Sequence, residues 1–513
     1  MSAYLHNVPD IFKQVVEKHR DRAAIVLSTG EIVTFDELDR LSDLVAVFLR
    51  QRGVRKGDRV CIRLDKITFA YALIIGCLKV GAPYFAVDPS NPSSRVAHIL
   101  EKCLPALVFS ASENPIDLSG HEVVIVDRDN QFASIADVGD AAFLPETEIV
   151  GTDPAYIMFT SGSTGFPKGA VMSHANLQNF IGWAREEFAI SQFDVFTSVN
   201  PLYFDNSVFD FYASVMNGAS LVPFDAATMK DPYRALRRID ELRCTIYFSV
   251  PSLLIYFQTL KLITPAALAS VRTVIFGGEG YPKAKLKELF DCLHPRVELV
   301  NVYGPTECTC ICSAYRVTNT DFVDLDGYPP LGGPIANFSF DVLDEEDRAA
   351  APDTIGELCL SGPCVGLGYF NDPELTAAAF RQNPLNTRYH ERTYRTGDLV
   401  RFATADGKVH FVGRKDSQIK HQGYRIELGE IEYALSRIPT VDEAVVLHTT
   451  QDGISVIVAV IAAHNGLKAD LVRKHVAQLI PAYMVPGRVE ILDSLPKNQN
   501  GKIDRNLLKK RYC

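Results

Sequence analysis

A chain of 513 residues with 52 basic and 62 acidic side chains carries a net charge of −10. With 47% hydrophobic and 22% charged residues it has the composition of a folded globular protein, which sets aside disordered, collagen-like and coiled-coil readings for the bulk. At about 150 residues per folding unit the length suggests roughly three units, and the acidic balance argues against a nucleic-acid partner, which needs clustered Lys and Arg.

The start, Met1 to His6, has no basic segment followed by an apolar one, so no secretory signal is read. The longest apolar run, Ile454 to Ala463, has ten residues. A spanning helix needs about 20, so the run is expected to be a buried strand, with no membrane partner and a cytoplasmic location. Eleven cysteines are scattered along the chain, and only Cys308, Cys310 and Cys312 cluster. Their single-residue spacing is too tight for paired zinc ligands, and it fits strand alternation or an irregular turn. Reduced, mostly buried thiols are expected.

Short β-rich runs alternate with helical patterns, as in a largely parallel α/β sheet. Arg59–Arg63 reads as a strand, followed by an apolar segment over Ala72–Val80. Further strands are expected at Tyr156–Phe159, Thr245–Phe248, Thr273–Phe276 and Glu298–Val302, with a helix over Lys283–Cys292. The character changes after Asp398. Lys408–Val412 and Gln418–Lys420 read as short strands, Glu427–Ser436 as a charged helix, Ile454–Ala462 as a long strand and Ala469–Leu479 as a helix. The polar turn Gly413–Asp416 divides the chain into a core, residues 1–413, and a small α+β unit, residues 414–513.

The strongest local signal is Phe159–Gly169, a strand running into a loop of hydroxyl residues and glycines that holds one lysine. Gly162, Gly165 and Gly169 let backbone approach a ligand. Thr160, Ser161, Ser163 and Thr164 supply hydroxyls for an anion cradle, and Lys168 adds a point charge suited to phosphate. Lys168 follows proline and precedes glycine, so the loop is not a Walker A motif.

This loop resembles the phosphate loop of the adenylate-forming superfamily, which includes acyl-CoA synthetases, luciferases and the adenylation domains of nonribosomal peptide synthetases. Further segments follow in that family's order: Val33–Leu38, Leu78–Tyr84, Phe204–Ser207, Asn301–Glu307, Gly356–Gly362, Tyr394–Leu399, Gly413–Lys420, Leu479–Pro486 and Asn500–Asp504. The resemblance implies a large α/β core, with mixed and parallel sheets flanked by helices, and a small mobile α+β C-terminal domain hinged at Asp416. It implies ATP and Mg²⁺. The nucleotide is expected on Thr160, Ser161, Gly162, Ser163, Thr164, Gly165 and Lys168, and on Asn301, Val302, Tyr303, Gly304, Pro305 and Thr306. Tyr303 is expected to stack on adenine, Thr306 to meet the α-phosphate and Glu307 to hold Mg²⁺. Asp398 is expected to accept from the ribose hydroxyls, with Phe411 and Arg414 beside the nucleotide. Lys502 is the catalytic candidate, bridging the substrate carboxylate and the α-phosphate where charge develops.

Asp205 decides the class of acid. A carboxylate in an apolar segment is costly unless paired, and in the amino-acid-activating branch an aspartate at this place pairs with the substrate's α-ammonium group. The branch's pocket positions fall on Asp205, Asn206, Phe209, Ser249, Ile275, Gly277, Val302, Cys310 and Ile311, closed by Lys502. Only Asp205 and Lys502 are charged, so a small or medium neutral side chain is expected. Within the family, Val250–Leu253, Phe276–Glu279 and Gln418–Glu427 look most like the stand-alone D-alanine–carrier-protein ligases, but the pocket departs from them at Asn206, Phe209 and Gly277. Gly277 is expected to leave room for a larger side chain.

The expected reaction is ATP-dependent formation of an aminoacyl-AMP, then transfer to the phosphopantetheine thiol of a carrier protein supplied in trans. Two alternatives stand beside it: an acyl-CoA ligase of a carboxylic acid, against which Asp205 argues, and a nucleotide-binding homologue without catalysis, against which Lys168, Glu307, Asp398 and Lys502 argue.

Overall fold

The computed structural model describes residues 7–111, 118, 120–138, 148–162, 167–336, 338–451, 454–463, 467–497 and 503–513. Ser163, Thr164, Gly165 and Lys502 lie outside the described residues.

Two large sheets carry the core. Among the described residues one has seven strands, in the spatial order Gly368–Tyr369, Lys168–Ser173, Pro154–Thr160, Tyr84–Ala86, Val60–Arg63, Leu107–Ala111, Val123–Val126. The other has nine. Its centre is the parallel run Ser220–Pro223, Val195–Ser198, Ile246–Ser249, Thr273–Gly277 and Glu298–Tyr303. Ile246–Ser249, Thr273–Gly277 and Glu298–Tyr303 are strands expected from the apolar runs, each extended or shifted by one residue, whereas Val195–Ser198 and Ser220–Pro223 are not among the expected strands. A third, antiparallel sheet contains Ile355–Ser361, Arg392–Ala403 and Lys408–Arg414.

Helix Phe35–Gln51 starts with a capping box in which Thr34 and Glu37 satisfy each other's backbone N–H groups. It packs against helix Thr68–Val80, the segment marked by its apolar run. That helix is buried nearly all round, which is why its sequence shows no polar face. Gly81 ends it in the left-handed region at φ 75°, a conformation open to glycine at little cost.

The smaller C-terminal domain opens with the hairpin Gln418–His421 and Tyr424–Glu427, then helix Leu428–Ser436. Strand Ile454–Ala463 lies between Val441–Gln451, antiparallel, and Arg488–Leu492, parallel. Its faces belong to two apolar clusters, one with Ile431, Leu435 and Val472, the other with Val445, Leu495 and Leu508. A strand covered on both sides reads as a continuous apolar run, here mistakable for a membrane segment only by composition. Among the described residues no helix is long and apolar enough to cross a membrane.

Candidate active site

Parallel strands in an open α/β sheet leave a crevice at their carboxyl ends. Pro154–Thr160 delivers Thr160 and Ser161 to it, and Glu298–Tyr303 delivers Val302, Gly304 and Thr306. The cavity is also bordered by Asp205, Asn206, Cys310 and Ile311. The chain turns sharply after Gly304, where a Cβ would lie 2.2 Å from the Cys310 carbonyl oxygen. Thr309 and Cys310 both take positive φ, 58° and 72°, so the cysteine cluster is an irregular turn of buried free thiols.

Asp205 sits half-buried on the cavity wall and accepts a hydrogen bond of 2.5 Å from the Thr306 hydroxyl. Burial pushes its carboxyl above the ordinary range, while Lys420 and Thr306 pull the other way. Thr160 Oγ1 is buried without a hydrogen-bond partner among the described residues, as fits a group reserved for a ligand.

Glu307 is 0% exposed. Arg425 Nη1 donates to both of its oxygens at 3.0 and 2.8 Å, Tyr369 OH donates at 2.6 Å, and Lys168 Nζ lies 3.4 Å away. Burial alone would raise this carboxyl. Arg425, Lys168 and Tyr369 outweigh it and hold the group well below the usual carboxylate range. In this arrangement Glu307 does not fit Mg²⁺: two cationic side chains already face its oxygens, and a divalent ion would add to them. Among the described residues no three His, Cys, Asp or Glu side chains form a metal cluster.

Tyr303, Asp398 and Arg414 form a second cluster. Asp398 accepts from Tyr303 OH and from Arg414 Nη1, each at 2.5 Å. Arg414 also clamps Asp416 through Nε at 2.7 Å and Nη2 at 2.6 Å. The residue expected as a hinge is thus pinned to the one expected beside the nucleotide. Phe411 lies on the same strand, partly exposed. Asn301 turns away from the cavity and donates to the Pro330 carbonyl at 2.8 Å, and Pro305 is buried in the turn.

Four residues expected in the substrate pocket do not border the cavity. Phe209 packs within a cage of Phe180, Phe188, Phe196 and Phe248, edge-to-face against three of them and tilted against Phe196. Ser249 is fully buried and donates to the Val250 carbonyl, and Ile275 is fully buried within the sheet. The room expected over Gly277 is absent: a Cβ there would lie 2.4 Å from the Val302 carbonyl oxygen and 2.6 Å from its Cγ2. Neighbours one residue away, Phe248 and Gly278, face the cavity instead. Strand alternation explains the shift, since adjacent residues point to opposite faces.

The residues that sequence reasoning missed come from the C-terminal hairpin. Lys420, Gly423, Tyr424 and Arg425 all border the cavity. Lys420 and Arg425 are direct cross-strand partners. Like charges opposite each other destabilise a hairpin unless something anionic faces them, and here Asp205 and Glu307 do. That pairing was the readable signal. Gly423, at φ 80°, approaches Val250 so closely that a Cβ would lie 2.3 Å from its Cγ1. Its N–H donates to Glu279 at 3.0 Å, and Ser161 Oγ donates to the Arg425 carbonyl at 2.6 Å. Arg95 and Glu430 add a buried ion pair between core and C-terminal domain.

Comparison with known proteins agrees with this architecture. Residues 12–370 match the AMP-binding enzyme family and residues 430–502 its C-terminal domain. The chain belongs to the AMP-binding enzyme family. It is 35% identical over 508 residues to surfactin synthase subunit 3 of Bacillus subtilis, covering 97% of this chain and 38% of that one. It is 34% identical over 547 residues to an L-proline–[L-prolyl-carrier protein] ligase of Streptomyces coelicolor, covering 98% of this chain and 96% of that one. Among solved structures, holo-PA1221, an NRPS protein containing adenylation and PCP domains, superposes with a TM-score of 0.86 at 26% identity, covering 99% of this chain and 84% of that one.

Proposed function

We propose that the protein activates a small or medium neutral amino acid with ATP, forming an aminoacyl-AMP and releasing pyrophosphate, then passes the aminoacyl group to the phosphopantetheine thiol of a carrier protein. The observation that carries this reading is Asp205. It is a carboxylate on the wall of the cavity that also receives Thr160, Ser161 and Thr306, so an ammonium group held there sets the amino acid's own carboxylate toward the phosphate-binding hydroxyls. The carrier-protein ligase relative, alike over nearly its whole length, supports the second half-reaction.

Residues 1–413 and 414–513 act as two units turning about Asp416. With the hairpin docked, Lys420 and Arg425 occupy the cavity, which suits the transfer step. With it withdrawn, Glu307 loses Arg425 and becomes free for Mg²⁺, and Lys502 is the cation for adenylate formation.

A pyrophosphate-exchange screen over D- and L-amino acids, followed by thioester formation on a phosphopantetheinylated carrier protein, tests the reading. Exchange with one amino acid and its loading on the carrier is the expected result. Exchange confined to carboxylic acids without an amino group, with acyl-CoA as product, would replace it by the acyl-CoA ligase reading.

A further inference from the structure

Asn206 follows Asp205 directly, borders the same cavity and is 5% exposed. Its Nδ2 is buried and has no hydrogen-bond partner among the described residues. Buried amide groups are nearly always bonded, and leaving one unpaired costs its full desolvation. The cavity has an apolar part made by Met158, Phe248, Val302 and Ile311, with the thiol of Cys310, and a polar part that carries Asp205, Thr306, Lys420 and Arg425. Burial pushes that thiol far above its ordinary range, so it is neutral.

We propose that the amino acid activated carries a short side chain with a hydroxyl group, which is read by the carboxamide of Asn206. The inference rests on the amino-acid reading of Asp205. An apolar side chain would fill the space but leave the Asn206 amide without a partner. An acidic one would compete with Asp205 and Glu307 for Lys420 and Arg425, and a basic one would find no carboxylate besides Asp205 on the wall among the described residues. Phe248 lines the cavity and Val302 fills the space over Gly277, which leaves room for a short side chain. Half a turn of the carboxamide exchanges N–H for C=O, and a hydroxyl, both donor and acceptor, satisfies either.

The test compares isosteres. Threonine and valine differ by a hydroxyl for a methyl, as do serine and 2-aminobutyrate, and each is assayed as D- and L-forms by pyrophosphate exchange. The hydroxyl member of at least one pair is expected to exceed its isostere in kcat/KM by about 30-fold or more, since a site built around a hydroxyl rejects the analogue lacking it. In Asn206→Leu the ratio is expected to fall below about threefold, by the limited discrimination an apolar pocket achieves. If that variant does not fold, the wild-type ratios decide alone. Equal or better exchange with valine, 2-aminobutyrate, alanine or a carboxamide amino acid overturns the inference while leaving amino-acid activation intact. Exchange with no amino acid overturns both.

Discussion

Arg425, on the C-terminal hairpin, places one guanidinium nitrogen between both carboxylate oxygens of Glu307 in the core, at 3.0 and 2.8 Å. Both side chains are buried, and removing one partner of such a pair strands the other charge at a cost of about 3–5 kcal/mol. Arg425→Met is therefore expected to undock the hairpin. Hydrogen exchange of the amides in 418–427 should accelerate by about 10² or more, in line with the lower end of that cost. Unaltered protection would mean that Glu279 and Arg95 hold the hairpin without this pair.

Asp205 is the residue on which amino-acid recognition turns. Deleting one side of a desolvated charge pair typically costs about 2–5 kcal/mol, so Asp205→Ala should lower kcat/KM for the amino acid in pyrophosphate exchange by about 30-fold or more. The sign of the pH dependence follows from burial, which raises this carboxyl. Protonated Asp205 cannot pair with an ammonium, so in the wild type kcat/KM falls as pH drops through that raised pKa. A flat profile in the acid range, or a variant with wild-type kinetics, would remove Asp205 from the site.

The fold was legible where one physical signal dominated. Strands such as Glu298–Tyr303 stood out as short β-branched runs, and Ile454–Ala463 as an apolar run of strand length. The floor of the pocket was less legible, because strand alternation makes a one-residue shift change faces: Phe248 and Gly278 border the cavity where Ser249 and Gly277 were expected. Gly277 misled for a related reason. A missing Cβ marks close approach, and the approaching group is Val302 rather than a ligand. The facing cations Lys420 and Arg425 hinted that something anionic meets the hairpin, but which groups do was not readable from local pattern, since Asp205 and Glu307 lie more than a hundred residues earlier.

Lys502 lies outside the described residues, and its role is carried by its motif, Asn500–Asp504. A single cation aimed at developing phosphoryl charge is worth about 10²–10³ in rate. Lys502→Ala should lower pyrophosphate exchange by at least that factor. Transfer from preformed aminoacyl-AMP to the carrier should fall far less, because the docked hairpin brings other cations to the cavity. Equal loss in both half-reactions would count against a division of labour between the two.

His174 makes the acid stability of the core testable. It opens helix His174–Glu187, is fully buried, and accepts from the Val8 N–H through Nδ1 at 3.3 Å. Burial, aided by Lys56 and opposed by Asp153, pushes its pKa down from 6.5 to about 4. The unfolded chain takes up this proton near pH 6.5 and the native protein only near 4, so stability is complete above 6.5 and drains away as the pH falls to about 4. At 1.36 kcal/mol per unit the loss reaches about 3 kcal/mol. His174→Gln keeps an acceptor for Val8 but has no proton to gain. Urea unfolding at pH 7 and pH 4 should therefore show the wild type losing up to about 3 kcal/mol more than the variant. Parallel losses in the two proteins would place the acid sensitivity elsewhere.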